Sequence, residues 1–400
     1  MTLLNFNIII IIMVALDVIL CKYQVTPLSI IGTIYLLLID INNLWAAQKF
    51  HFWNLNENSL GMLVLFFFSI FLVDVFFDLI YRVSKKKEMG ISFRPSDYRV
   101  ARIIFFVGAI AYAMQFVRLH ITIGWNIKGM NNGILGHLSS LAFIFGPIAL
   151  EGALKKESTA GKIVMLIAYV IIFGIAILFG GKYVIFINLT YCAMFFLLKR
   201  DSKKAIKRLL IAGMLMAGFA ISVFAVLYYV IPMLTGRYVS SGEFVIEHTL
   251  YYLLGPVIAN NDAIVLAGTG CKEVPFAVFI NIAKALFGDG DYINPILPFV
   301  FSTGENHFVN VSGMFGETVY NLGISGALVY TICVFIVLNI LMLLYRTYNC
   351  FYVSFCYLCA ITAFMFFCNF ISVSGVVIPF ILAIIVDAVL MIRPIWRSTQ

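Results

Sequence analysis

A chain of 400 residues that is 62% hydrophobic, 16% aromatic and only 12% charged, with a mean hydropathy of +1.02, excludes a soluble domain, which carries about a quarter of its residues as charges. The net charge of +8, from 27 Lys+Arg against 19 Asp+Glu, would suit nucleic acid only if the basic residues formed one solvated face; they sit instead in short loops between apolar runs, so no nucleic-acid partner is expected. The expected fold is all-α, a polytopic transmembrane helix bundle.

Eleven apolar runs, within a range of 10–12, are long enough to cross about 30 Å of hydrocarbon at about 20 residues each. They cover 3–21, 25–45, 59–81, 102–118, 134–151, 162–179, 183–198, 209–233, 320–345, 350–370 and 375–392. The organisation read from them is a bundle of about eight spans over 1–233, a large loop over 234–319 and a bundle of about three spans over 320–400. The first run passes straight into the second without a small-residue cleavage site and is read as a retained span. Within the runs lie Asp17, Asp40, Asp74, Asp78, Glu151 and Asp387. Intramembrane acids are functional by default. Asp74 and Asp78, four residues apart, share a helix face in a way that suits proton-coupled transport; the alternative is acids paired within the bundle or facing a wet cavity. No inverted repeat and no paired Gly/Pro-broken spans accompany them.

Twenty of the 27 basic residues fall on one side of this threading. The loops at 82–102, 155–162 and 199–208 carry most of them, which places those loops and the C-terminus in the cytoplasm. Lys49, Arg118, Lys128, Lys182, Arg237, Lys272 and Lys284 remain on the outer side. The cysteines lie in or beside spans except Cys271, which has no partner in its loop, so they read as packing residues. No metal-binding Cys/His cluster is evident, and no metal or cofactor is expected.

On the outer side, Gly180-Gly181-Lys182-Tyr183 between two runs reads either as a phosphate contact, since glycines let backbone donors approach an anion, or as a turn with an ordinary lysine. It is not a nucleotide P-loop: Ala176 stands at the first glycine position and no Ser or Thr follows Lys182. Arg237, in Thr235-Gly236-Arg237-Tyr238, is a permanent cation suited to a phosphate or a snorkelling anchor. The loop of 234–319 then follows, too long to lack structure of its own, with semi-apolar stretches at 249–258 and 274–287 expected to lie as helices in the membrane interface. Asp289-Gly290-Asp291 has the form of a metal-binding Asp-x-Asp pair but reads better as a turn. The densest cluster is 304–323, from Gly304 to Gly323. Glu305 and His307 stand two apart, either able to act as general base near neutral pH, and Glu317 and Tyr320 follow about one turn apart at the mouth of a helix. The glycines at 313, 316, 323 and 326 point to close backbone approach.

The number of runs, the single large late outer loop, the small-residue turn ending in Lys182 and the segment Met314-Phe315-Gly316-Glu317-Thr318-Val319-Tyr320-Asn321-Leu322-Gly323-Ile324-Ser325-Gly326 together resemble the O-antigen polymerase family (Wzy type), over the whole chain. Lys182 stands where the family frequently has arginine. The resemblance implies a multi-pass glycosyltransferase of the Gram-negative inner membrane. Its partners would be the bilayer, an undecaprenyl-diphosphate-linked oligosaccharide, and a flippase and chain-length regulator of the same pathway. On that reading His307, Glu305 or Glu317 takes the proton of the acceptor hydroxyl. Arg237, Lys182 and Lys272 hold the diphosphate, and His248, Tyr251 and Tyr320 contact the glycan; no metal is required. Rival readings are a lipid-linked oligosaccharide flippase, which needs a central polar cavity and balanced halves, and an O-antigen ligase, which differs in its acceptor. A membrane acyltransferase would need an intramembrane His with an Asn or Asp partner, which is not evident.

Overall fold

The computed structural model describes the chain except residues 22–24, 85–92, 125–132, 157, 180–181, 199–232, 234–241, 289–290, 297–299, 306, 349–350 and 398–400. In chain order the helices are α1 (Leu3–Leu20), α2 (Pro27–Ile41), α3 (Glu57–Val83), α4 (Pro95–Ile123), α5 (Gly133–Lys156), α6 (Thr159–Leu178), α7 (Lys182–Leu197), α8 (Gly242–Ile258), α9 (Asn260–Val265) and α10 (Ala277–Phe287). A short hairpin, β1 (Phe301–Gly304) and β2 (His307–Val309), follows. The chain continues through α11 (Gly313–Tyr348), α12 (Tyr352–Ala363) and α13 (Ser374–Arg397). Sequence explains where several of these begin. Thr26 caps α2 in a box with Ser29, and Pro27 occupies the first turn, where its missing N–H is not needed. Pro95 does the same for α4, and Ser158 caps α6.

Among the described residues, seven helical segments are long and apolar enough to cross a membrane: Leu3–Leu20, Pro27–Phe50, Glu57–Val83, Pro95–Ile123, Leu135–Lys155, Thr159–Leu178 and Gly313–Thr347. The protein is therefore an all-α membrane protein by the length and composition of its helices. Their exposed faces agree: on α6, Ile163, Val164, Leu166, Ile167, Val170 and Ile171 are all exposed. A continuous apolar face of this kind costs nothing against lipid and is not sustained in water. The apolar helices at Val184–Leu197, Tyr352–Ala363 and Ser374–Leu390 are shorter. They overlap the expected seventh, tenth and eleventh runs, the tenth, expected over 350–370, being α-helical among the described residues only over Tyr352–Ala363. The expected eighth run, 209–233, falls outside the described residues apart from Met233.

The chain divides into two units, each spanning distant stretches of sequence. The first comprises Met1–Val83, Asp201–Leu343 and Ile361–Val373. Its core joins α2, α3 and the start of α11, where Phe315 stacks on Phe66 at 4.9 Å and meets Tyr35 and Phe67 at 5.5 Å. The second comprises Ser84–Arg200, Leu344–Ala360 and Ser374–Gln400. There α4 and α5 lie in close contact at Gly108, where a Cβ would lie 2.4 Å from the Ala142 nitrogen. Tyr112 stacks on Phe179 and Phe105 on Tyr169.

The intramembrane acids are bonded inside the protein. Asp17 accepts from the Thr26 hydroxyl. Asp40 accepts from Asn7 at 2.7 Å, and Asp74 from the Leu28 amide at 3.0 Å and Asn339 at 2.6 Å. Asp78 and Glu151 pair with Arg82 and Lys155 one turn later, each at 2.7 Å. Asp387 accepts from the Val353 and Ser354 amides and the Ser354 hydroxyl, capping α12 from another helix. Of the two expectations for these acids, internal pairing is the one observed. Buried carboxylates need such partners, so their presence follows from packing alone.

One candidate span is broken. Gly323 adopts φ 72°, ψ 170° inside α11, a conformation open essentially to glycine alone. The carbonyls of Val319 and Tyr320, which lose their helical partners there, accept from the Gly268 and Gly270 amides at 3.0 Å. The turn at 266–270 thus caps the half-helix Gly313–Leu322.

Candidate functional site

Several polar residues of the first unit gather around the hairpin. β1 and β2 are antiparallel, pairing Phe301 with Val309, Ser302 with Phe308 and Gly304 with His307. Residues 51–53, from the connection between α2 and α3, extend this ladder on its other edge. The Trp53 amide donates to Thr303 O at 2.9 Å, the Glu305 amide to His51 O at 3.4 Å, and Phe52 bridges Gly304. The approach is too close for a side chain at 304: a Cβ there would sit 2.6 Å from His51 O. His51 makes the turn with a left-handed φ of 57°. Asn261 and Asp262 of α9 fasten the 54–56 connection and β1, the first through Asn54 O and the Asn56 amide, the second through the Ser302 amide at 2.6 Å.

Helix α8 supplies the third wall. Glu243, Glu247 and Tyr251 fall at intervals of four and so form one stripe. The Tyr251 hydroxyl donates to Phe308 O, locking α8 to β2. Burial pushes its acidity weaker than an ordinary phenol, with Tyr252 adding to the effect, so it stays a donor. The His307 ring is wedged between Phe52 at 5.0 Å and Tyr251 at 5.5 Å, with Nε2 3.4 Å from Glu247 Oε1. Carboxylate and ring together line an open cleft of about 220 Å³ with Lys49, His51, Glu243 and Glu305. Lys49 Nζ lies 5.8 Å from the Trp45 ring and 5.3 Å from Phe50.

The His307 and Glu247 side chains are 25% and 35% exposed. At that exposure the pair contributes little to stability, about 0–1 kcal/mol. The Glu247 carboxylate lies on the Nε2 side of the ring, an arrangement that a carboxylate–imidazole pair acting as a base would need.

The structure separates the residues singled out in the sequence. His307 and Glu305 line the cleft, and Tyr251 packs on the His307 ring. His248 lies on α8 but turns to a neighbouring aromatic set, stacking with Phe244 and Tyr251 and meeting Tyr252 edge-on. Tyr320 packs edge-on against Phe301 at 5.4 Å, beside the core formed by Ala259, Ala263, Val274, Phe301 and Val309. Glu317 is buried and accepts from the Asn369 amide at 3.3 Å, the Ser372 hydroxyl at 3.5 Å and the Cys368 thiol at 3.6 Å. It tethers the half-helix to the 368–372 turn rather than lining the cleft. Lys272 is exposed in the turn before the 3-10 helix Val274–Phe276. Lys182 begins α7, in the second unit, and its side chain lies outside the description, as do Arg237, the Gly180-Gly181 pair and Asp289-Gly290.

Sequence reasoning missed Glu247 as the partner of His307, and Lys49 and His51 as wall residues. The first had a signal in the four-residue spacing of Glu243, Glu247 and Tyr251. The second had only topological parity, since the connection between the second and third runs falls on the same side as the long loop. Compared with family models, with curated proteins and with solved structures, the chain matches none.

Proposed function

We propose that this chain is an integral-membrane glycosyltransferase that polymerises undecaprenyl-diphosphate-linked oligosaccharide repeat units into O-antigen or a related surface polysaccharide. It works on the periplasmic face of the bacterial inner membrane, alongside the flippase and chain-length regulator of the pathway. The observation that carries the reading is the His307–Glu247 pair at the wall of an open cleft, on elements outside the seven membrane-length helices of the described residues. A lipid-linked donor keeps its substrate at the membrane, and transfer to a sugar hydroxyl needs a base there.

In the reaction, Glu247 fixes the imidazole and His307 takes the proton of the acceptor hydroxyl. The hydroxyl oxygen bonds to the donor's anomeric carbon as the bond from that carbon to the phosphate oxygen breaks, and the lipid diphosphate leaves with the electron pair. A general base contributes about 10²–10⁴ in rate. The cleft carries more carboxylate than cation, so it suits the acceptor end. The diphosphate needs positive charge, for which Lys49 at the wall and the outer cations Arg237, Lys182 and Lys272 are the candidates. A proton-coupled flippase is disfavoured by the acids within the spans, which are bonded internally. The test is reconstitution of the full chain in nanodiscs with an undecaprenyl-diphosphate-linked repeat unit and, in parallel, with lipid A-core added. Products of two or more units, with release of undecaprenyl diphosphate, are expected. A substrate consumed by transfer to lipid A-core alone, or not consumed, overturns the reading.

A further inference from the structure

We propose that the cleft selects a neutral or aminated sugar as acceptor and excludes a uronic acid or otherwise anionic one. The proposal rests on the glycosyl-transfer reading. The titratable groups facing the cleft are Glu243, Glu247 and Glu305, against Lys49, with His51 and His307. With both imidazoles neutral, three carboxylates against one ammonium leave two negative charges in excess. With His307 charged as well, one negative charge remains in excess.

A concave, like-signed wall focuses its field into the space it encloses. Ionised carboxylates are pure acceptors, so they bind hydroxyls and ammonium groups and repel a second carboxylate. The group is not arranged as a metal site either: no cluster of three or more His, Cys, Asp or Glu among the described residues has that geometry. The chemistry left is recognition of a polyhydroxyl ligand, neutral or carrying an amine. Glu243 and Glu305 are exposed, and neither is the carboxylate paired with His307, so they are the residues that set charge preference without orienting the base.

The test is glycan binding to the full chain in nanodiscs of zwitterionic lipid, with a panel of free neutral-hexose, hexosamine and hexuronate oligosaccharides. Neutral and hexosamine members are expected to bind, with hexuronates weaker by about tenfold or more, the effect of one like-charge contact near a surface. Hexosamine binding is expected to fall with added salt while neutral binding does not. In the doubly substituted Glu243→Gln, Glu305→Gln protein the discrimination against hexuronates shrinks about tenfold. Hexuronates binding as tightly as neutral glycans in the wild type, or discrimination unchanged in the double variant, overturns the charge selection while leaving the transferase reading intact. Binding by no member of the panel overturns that reading itself.

Discussion

A close backbone approach between two candidate spans offers a sharp test of how the second unit is held together. At Gly108 in α4, a Cβ would lie 2.4 Å from the backbone nitrogen of Ala142 and 3.1 Å from its Cα and Cβ. Gly108→Ala carries two opposed effects. Removing a helix-interior glycine favours the helix by about 0.8–1 kcal/mol. Relieving the clash requires α4 and α5 to move apart by about 1 Å, and a gap of that size already forfeits a quarter to a half of each dispersion contact along the interface. Overpacking of this kind costs about 1–3 kcal/mol, and the obstructing atom is backbone, which cannot swing away. The clash wins, so Gly108→Ala is expected to lower the thermal unfolding midpoint in detergent by a few degrees. Gly61 in α3 and Gly174 in α6 are the controls, since a Cβ at either meets nothing within 4 Å. The same substitution there is expected to leave the midpoint unchanged or raise it. A Gly108→Ala protein as stable as Gly174→Ala would refute the reasoning.

At Gly323, alanine must adopt φ 72°, ψ 170° or let the helix break shift; a destabilisation of about 1–3 kcal/mol is expected in equilibrium unfolding, and full wild-type stability would show that α11 tolerates a continuous helix there. Asp387→Ala strips the cap from α12, leaving the Val353 and Ser354 amides without their acceptor. A loss of about 1–3 kcal/mol is expected, read as a lower midpoint and faster hydrogen exchange at those two amides; protection equal to wild type would contradict the capping. Glu317→Gln is expected to keep transfer activity per folded molecule, because Glu317 contacts Cys368, Asn369 and Ser372 rather than the cleft. Loss of activity with an unaltered midpoint would return Glu317 to the reaction.

Apolar run length made the helical architecture legible, because hydrocarbon imposes a minimum helix length that composition reveals directly. It was less informative about breaks. The ninth run reads as continuous from 320, whereas α11 begins at Gly313 and changes direction at Gly323, a feature set by capping from the 266–270 turn. The site was half legible. Glu305 and His307 stand close in sequence, but the segment reads as a loop entering a helix, and the hairpin depends on pairing with 51–53 from about 250 residues earlier. Tyr320 and Glu317 carry the residue types of chemistry, and burial among Phe301 and the 368–372 turn gives them packing and tethering work instead. Charge alone does not tell a solvated acid from one bonded inside a bundle; the i,i+4 spacing to Arg82 and Lys155 announces the partners of Asp78 and Glu151, whereas the Thr26 hydroxyl at Asp17 and the residues bonded to Asp40, Asp74 and Asp387 are ones that no local spacing points to.

The most direct measurement is the surface-polysaccharide banding of cells that lack their own copy of the gene and carry either the wild-type chain, His307→Ala or Glu247→Gln, with each protein's membrane level and thermal midpoint checked. The wild type is expected to restore a ladder of repeat lengths. Both variants are expected to leave core bearing a single repeat unit, in line with a loss of about 10²–10⁴ in rate when the base or its orienting carboxylate is removed. A full ladder from His307→Ala, or bare core without any repeat in cells lacking the gene, would contradict the assignment of the cleft as the centre of polymerisation.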